Sequence, residues 1–325
     1  MNAFLCTEYG LPEKLLLRDI PSPLPKTDEV LIRVYACGVN FPDVLIIQNK
    51  YQVKPPLPFS PGGEVAGEII AVGEQVSNLK VGDRVTALSG WGGFAEQVIV
   101  KANRVFSIPK PIDFISGATT LYTYGTSYHA LKDRAMLKAN ETLLVLGAAG
   151  GVGLAAVELG KLMGATVIAA ASSADKLTVC KEKGADHTID YSTENLRARI
   201  KQITNDKGVD VVYDPVGGAM AEPALRSMAW KGRYLVVGFA SGEIPSLATN
   251  LALLKGCSIV GVFWGRFSEL EPEQNANNIK ELITWIGEGK IHQHIYKKYS
   301  LEEAPQALVD LMQRKVIGKA VVLIR

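Results

Sequence analysis

The chain has 325 residues, of which 47% are apolar and 21% charged, with a formal net charge of +2. That length accommodates two domains, each with its own core, and the charge balance gives no electrostatic case for binding nucleic acid or a membrane surface. Cys6, Cys37, Cys180 and Cys257 stand far apart with no C-x-x-C pair, which suggests neither a disulfide framework nor a zinc ribbon and makes a reducing cytoplasm the expected compartment.

The stretch Met1 to Cys6 lacks a basic region leading into a long apolar run, so no secretory signal is expected. Over residues 1 to 120, short β-like segments alternate with glycine and proline. The clearest are 30–36, 67–73 and 93–100, a spacing that predicts a partly open β-barrel. From 121 to 260 the pattern changes to apolar strands at 143–147, 166–171, 209–213 and 233–238, separated by helical stretches at 152–163, 174–183 and 219–230. A further strand-like segment, 186–190, falls between the second of those helices and strand 209–213. This alternation predicts parallel βαβ units covered by helices. The tail returns to mixed structure, with a helix at 279–287 and a final strand at 319–324.

The segment Leu143 to Leu159 is the most informative. A buried strand leads into Gly147-Ala148-Ala149-Gly150-Gly151-Val152-Gly153 and then into a helix. Gly150 and Gly151 allow close backbone approach to a pyrophosphate, Gly153 allows the helix to pack on the strand, and the free N–H groups from Val152 onward face the anion. Ala148 takes the place of the first glycine of the usual fingerprint, so the strand-before, helix-after context carries the argument. The following strand ends at Ala171, where an NAD site would place a carboxylate about 20 residues past the glycines. Ser172, Ser173 and Lys176 follow instead, and Tyr191 lies after the next strand. Hydroxyls and an ammonium in place of a carboxylate suit a 2′-phosphate, so the expected cofactor is NADPH.

Taken together, Cys37-Gly38-Val39-Asn40-Phe41-Pro42-Asp43, Pro58-Phe59-Ser60-Pro61-Gly62-Gly63-Glu64, Val81-Gly82-Asp83-Arg84-Val85, the glycine turn, the run Leu225 to Arg233, Gly238-Phe239-Ala240, Trp264-Gly265-Arg266 and Gly318-Lys319 resemble the medium-chain dehydrogenase/reductase superfamily. Within it the chain is similar to the zinc-free NADPH:quinone oxidoreductase group. The resemblance covers essentially the whole chain. It implies an α/β protein with a GroES-like, partly open β-barrel catalytic domain from residues 1–121 and 262–325. A Rossmann doubly wound parallel-sheet domain, 122–261, would be inserted between them. It also implies a homodimer paired through an edge of the nucleotide domain. Zinc-dependent alcohol dehydrogenases of the superfamily carry a cysteine where this chain has Asn40 and a histidine where it has Gly63. Neither residue supplies a thiolate or imidazole, so no metal is expected. Cys37 reads as a small buried apolar residue, and His292 and His294 lack a third ligand nearby.

Without a Lewis acid the expected substrates are acceptors that delocalise negative charge as hydride arrives, a quinone or an activated alkene. Asn40 would orient the nicotinamide ribose or the substrate oxygen. Thr126 would lie near the nicotinamide, and Phe239, Ala240 and Trp264 would border it and the acceptor. Tyr51 matches a position where enoyl thioester reductases of the superfamily carry a proton-donating tyrosine, which makes it a general acid for an alkene and a pocket residue for a quinone. Leu45 departs from classical bacterial quinone oxidoreductases, which have a tyrosine there. Three functions are therefore expected in order: NADPH:quinone reduction, NADPH-dependent reduction of enones, enals or enoyl thioesters, and a non-catalytic NADPH-binding role as sensor or structural protein.

Overall fold

A computed structural model describes all residues, Met1–Arg325. Two compact units divide the chain: Met1–Tyr122 with Ile283–Arg325, and Thr123–Leu282. In chain order the first unit supplies β1 (Asn2–Leu5), β2 (Leu16–Asp19), β3 (Glu29–Val39), α1 (Phe41–Ile46), β4 (Glu64–Val72), β5 (Arg84–Leu88), β6 (Gln97–Lys101), β7 (Val105–Ser107) and α2 (Phe114–Gly117). In the second, α3 (Thr126–Tyr128) is flanked by π-helical turns Leu121–Gly125 and His129–Arg134. There follow β8 (Thr142–Leu146), α4 (Gly151–Leu162), β9 (Thr166–Ala171), α5 (Ala174–Glu182), β10 (His187–Asp190), α6 (Leu196–Ile203), β11 (Val209–Asp214), α7 (Ala221–Arg226) and β12 (Met228–Val236). The chain continues through α8 (Asn250–Lys255), β13 (Ser258–Gly261), α9 (Trp264–Leu270) and α10 (Pro272–Gly287), and β14 (Ile295–Ser300), α11 (Ala304–Met312) and β15 (Lys319–Leu323) complete the first unit.

The first unit is organised around β3. This long strand pairs antiparallel with β4, with β6 through its first half and with β15 through its second. Val30, Ile32 and Val34 alternate into one core, while Ala36 joins a smaller cluster with Ala66, Ala118 and Val321. Period-two alternation is what a half-buried strand requires. The C-terminal strand thus completes a sheet begun almost three hundred residues earlier.

The second unit holds a six-stranded parallel sheet in the order β10-β9-β8-β11-β12-β13. The order reverses between β8 and β11, and ligands of such sheets bind beyond the carboxyl ends of the strands at that reversal. Its strands read as near-continuous apolar runs because both faces are covered. Leu143, Leu144, Val145 and Leu146 are all fully buried.

Two expectations need correcting. The predicted helix 219–230 stops at Arg226, where the Ser227 hydroxyl donates to the Pro223 carbonyl and the Val209 N–H donates to the Ser227 carbonyl. The strand then starts at Met228 rather than 233, and a bulge around Lys231 carries the register from Val209↔Met228 to Val211↔Arg233. The second domain boundary also lies later than residue 261. Helix α9 and α10 as far as Leu282 stay with the nucleotide unit because Trp264 Nε1–H donates to Asn275 at 3.1 Å, Phe267 stacks on His129, and Glu281 accepts from Lys132 at 2.6 Å.

Candidate active site

In the first unit, α1 begins at Asn40. Asp43, three residues on, accepts the Asn40 N–H at 2.7 Å through Oδ2, and its Oδ1 takes the N–H groups of Gly62 and Gly63 at 3.2 and 3.1 Å. A single buried carboxylate therefore fixes both the helix start and the Pro61-Gly62-Gly63 loop. Burial pushes the Asp43 carboxyl up to about 7, although these N–H groups and the Lys319 ammonium oppose the shift.

Asn40 is 7% exposed, and its amide is committed within the unit. Its Nδ2 donates to the Gly38 carbonyl at 3.2 Å and to Glu64 Oε2 at 3.0 Å, while Oδ1 accepts from Lys319 Nζ at 2.6 Å. Lys319 also donates to the Val39 carbonyl at 3.1 Å and lies 3.4 Å from Glu64 Oε2. Both members of that ion pair are buried. The expectation that Asn40 orients a ligand directly is thereby narrowed: one lone pair of Oδ1 is its remaining capacity. Tyr51 is half-buried against the same core, and burial, followed by the charge of Asp43, raises its hydroxyl above the ordinary phenol value. It stays protonated at any working pH.

The partners Asp43, Glu64 and Lys319 are not anticipated from the sequence as site residues. The signal available for Glu64 and Lys319 was a charge at the opening of a strand, before Val65-Ala66 and before Ala320-Val321-Val322. Cys37 is buried as expected, its Sγ filling the space that side chains at Gly62 and Gly93 would claim.

In the second unit the glycine turn joins β8 to α4 as expected. A Cβ on Gly153 would lie 2.3 Å from the Gly147 carbonyl oxygen and 2.8 Å from Ala148 Cα, so this glycine is required by helix-to-strand packing. Gly150 differs. Its φ of −75° suits any residue, and a Cβ there would meet only the Gly147 oxygen at 3.5 Å. That is an ordinary van der Waals contact, and no side chain caps the α4 N-terminus. The first N–H groups of the helix, at Gly151 and Val152, thus point out with positive partial charge, which suits a phosphate.

Ser172 and Lys176 meet: Lys176 Nζ donates to Ser172 Oγ at 3.3 Å just past β9. The N-cap of α5 is Ser173, so Ser172 is not used in capping. Tyr191 N–H bonds the Ala171 carbonyl at 3.1 Å, and its ring rests on the unit's core. Thr126 is half-buried beside Ser127, whose hydroxyl donates to the Val152 carbonyl at 2.8 Å and pairs with Tyr213. Phe239 and Ala240 are exposed on the loop after β12, held by Ala240 N–H to the Pro215 carbonyl. Trp264 departs from expectation. It is 5% exposed and its ring lies against Gly125, so it supports Thr126 from behind rather than offering a free face.

Residues 26–110 match the alcohol dehydrogenase GroES-like domain family and residues 151–284 the zinc-binding dehydrogenase family. The quinone oxidoreductase-like protein 2 homolog of Nematostella vectensis is 38% identical over 99% of this chain and 88% of its own length. The chain belongs to the medium-chain dehydrogenase/reductase superfamily, in its quinone oxidoreductase-like group. The synaptic vesicle membrane protein VAT-1 homolog of Homo sapiens is 33% identical over 99% of this chain and 86% of its own. Among solved structures, Escherichia coli quinone oxidoreductase complexed with NADPH superposes with a TM-score of 0.93 at 29% identity, covering 100% of both chains.

One of the two matching family names invokes zinc, and the residues here do not fit that ion. Asn40 presents an amide already paired with an ammonium, Gly63 has no side chain, and no cluster of three or more His, Cys, Asp or Glu side chains gathers anywhere to hold a metal. A dication beside Lys319 would meet repulsion.

The two glycines make opposite predictions. Gly153→Ala should lower the melting temperature of the ligand-free protein, since backbone must shift at a cost of about 1–3 kcal/mol. Gly150→Ala should leave that melting temperature unchanged while weakening dinucleotide binding about 10-fold or more. Thermal melts with and without NADPH read both. Unchanged NADPH affinity in Gly150→Ala would remove this turn from cofactor binding.

Proposed function

We propose that the protein is a zinc-independent, NADPH-dependent oxidoreductase that passes hydride to a quinone. The observation that carries this reading is the Lys319 ammonium buried between Asn40 and Glu64. It supplies a fixed positive charge that cannot coordinate an alcohol oxygen as a metal does, which favours acceptors whose own π system takes up the charge. NADPH, when bound, supplies the hydride. The chain's own work is to hold the pyrophosphate at the α4 N-terminus, to contact the 2′-phosphate through Ser172 and Lys176, and to offer hydrogen bonds to the acceptor from the Asn40 and Tyr51 neighbourhood. The NADPH complex of the Escherichia coli relative supports the cofactor assignment.

Reduction of an activated C=C bond is the second reading, favoured by the Tyr51 hydroxyl, which is kept protonated by burial and by Asp43. Steady-state NADPH oxidation by the metal-free protein, comparing a 1,4-quinone with an enone of similar size, separates the two. Tyr51→Phe should cut enone turnover by about 10²-fold or more and quinone turnover only slightly. Equal small losses would take Tyr51 out of the mechanism. Tight NADPH binding with oxidation by neither acceptor would favour a non-catalytic role instead.

Cofactor choice has its own test. Lys176→Ala combined with Ser172→Ala should weaken NADPH binding by about 10- to 100-fold, the value of one or two charge-assisted hydrogen bonds, and barely alter NADH. Equal losses for both nucleotides would sink the 2′-phosphate assignment.

A homodimer paired along β13 is also part of the proposal. This strand ends the parallel sheet with β12 as its one partner, its Ile259 is 42% exposed, and Leu253 and Leu254 of the preceding helix are exposed as well. Unpaired edges with apolar neighbours invite a second copy. Light scattering should report twice the 35.1 kDa chain mass, and Ile259→Lys should return it to a monomer; a monomeric wild type would refute the pairing. The free cysteines support a reducing compartment, and no helix is long and apolar enough to cross a membrane.

A further inference from the structure

The loops that leave the carboxyl ends of β11 and β12 are built as one body. Asp214, the last residue of β11, is buried and grips both of them. Its Oδ1 takes the Val216 and Gly217 N–H groups at 2.8 and 2.9 Å, and its Oδ2 takes the hydroxyl of the buried Tyr234 on β12. The Asp214 carbonyl takes the Val237 and Gly238 N–H groups at 2.9 and 3.3 Å. Further out the loops bond each other. Ala240 N–H donates to the Pro215 carbonyl at 3.0 Å, Ser241 N–H to the Val216 carbonyl at 2.9 Å, and Gly218 N–H to the Glu243 carbonyl at 3.1 Å.

Gly217 gives that body a seat for a ring. Its φ is +68°, and a Cβ there would stand 2.9 Å from Phe239 Cδ1. Phe239 thus rests on bare backbone on one side and keeps 38% of its surface exposed. Trp264 is buried, so of these two aromatic residues only Phe239 offers surface to a ligand. Strand β11 also flanks the reversal of strand order, where a dinucleotide lies beyond the carboxyl ends of such a sheet.

Resting on the hydride-transfer reading above, we propose that Asp214 is a positioning residue that acts through Phe239: the carboxylate fixes the loop that seats the ring, and the ring limits how the nicotinamide of NADPH can lie. Hydride leaves nicotinamide C4 with its electron pair and forms a C–H bond at the acceptor carbon. The π electrons of the acceptor move onto its oxygen, and that anion takes a proton from water. The rate of this step depends on distance and angle at C4, and a misplacement of about 1 Å costs about 100-fold. Affinity for the dinucleotide is set by the phosphate contacts elsewhere in the unit, so binding and positioning separate.

Phe239→Ala and Asp214→Ala are assayed singly and together with NADPH and the 1,4-quinone. Each single variant should lower kcat about 10- to 100-fold at unchanged NADPH affinity. Because the carboxylate acts through the ring, the double variant should be no slower than the slower single one. A second readout needs no turnover: the emission of the reduced nicotinamide, which rises as its ring is held away from water, should rise less on binding to either variant. Unaltered kcat, unaltered emission, a parallel loss of NADPH affinity, or losses that multiply in the double variant each overturn the proposal. A wild type that oxidises NADPH with neither acceptor, yet whose bound-nicotinamide emission depends on both residues, overturns the hydride-transfer reading and leaves the positioning role standing. Should Asp214→Ala melt too low to assay, Gly217→Ala takes its place. Its methyl group, 2.9 Å from the Phe239 ring, must displace that ring while the carboxylate stays, and unchanged kcat and emission there overturn the proposal equally.

Discussion

The ammonium of Lys319, buried against Glu64 and Asn40, is the constraint on which the first unit depends. It joins residues 279 positions apart, from the opening of the last strand to the start of α1. A buried charge left alone would cost several kcal/mol, so each of the three partners obliges the others to be present. Glu64 also takes the Tyr122 N–H, and Asp43 closes the same neighbourhood by gripping Gly62 and Gly63. Two carboxylates face one ammonium in an interior with little water. Burial above all, with the Glu64 charge adding to it, raises the Asp43 carboxyl.

The second unit solves a different problem by a different means. Its strands are apolar on both faces and its helices cover them, which leaves polar chemistry to the loops beyond the strand ends. Several of those loops are held internally rather than by ligand. Asp214 Oδ1 takes Val216 and Gly217 N–H at 2.8 and 2.9 Å, and Ser127 ties α3 to the first turn of α4. Against that rigid background Gly150 stands out, because nothing in the protein requires it to lack a side chain.

What was legible in the sequence follows from how local its cause is. The strand–glycine–helix turn, the parallel alternation and the final strand are written in contiguous periodicity, and they stand where expected. The helical run through residues 121–134 was not foreseen, because Thr119-Thr120-Leu121-Tyr122-Thr123-Tyr124 is rich in β-branched and aromatic residues that disfavour helix. Its π turns come from tertiary packing. The early end of α7 was hidden for a similar reason: Leu225 and Met228 keep a helical apolar spacing, while the decisive Ser227 hydrogen bonds depend on a strand elsewhere. Within the candidate site, Asn40 and Tyr51 are visible through resemblance. Lys319 and Glu64 acquire meaning only when distant segments meet.

On the proposed zinc-independent reading, the buried ammonium also limits the chemistry. A metal ion polarises an oxygen by accepting its lone pair, and it does so for alcohols and isolated carbonyls alike. An ammonium already committed to an amide, a carbonyl and a carboxylate offers field but no vacant orbital. The remaining help must come from O–H and N–H donors, which stabilise an anion by a few kcal/mol each when water is excluded. That suffices only where the acceptor spreads the incoming charge itself. The fold is shared with alcohol dehydrogenases, and on the proposed reading Asn40, Gly63 and Lys319 favour conjugated acceptors.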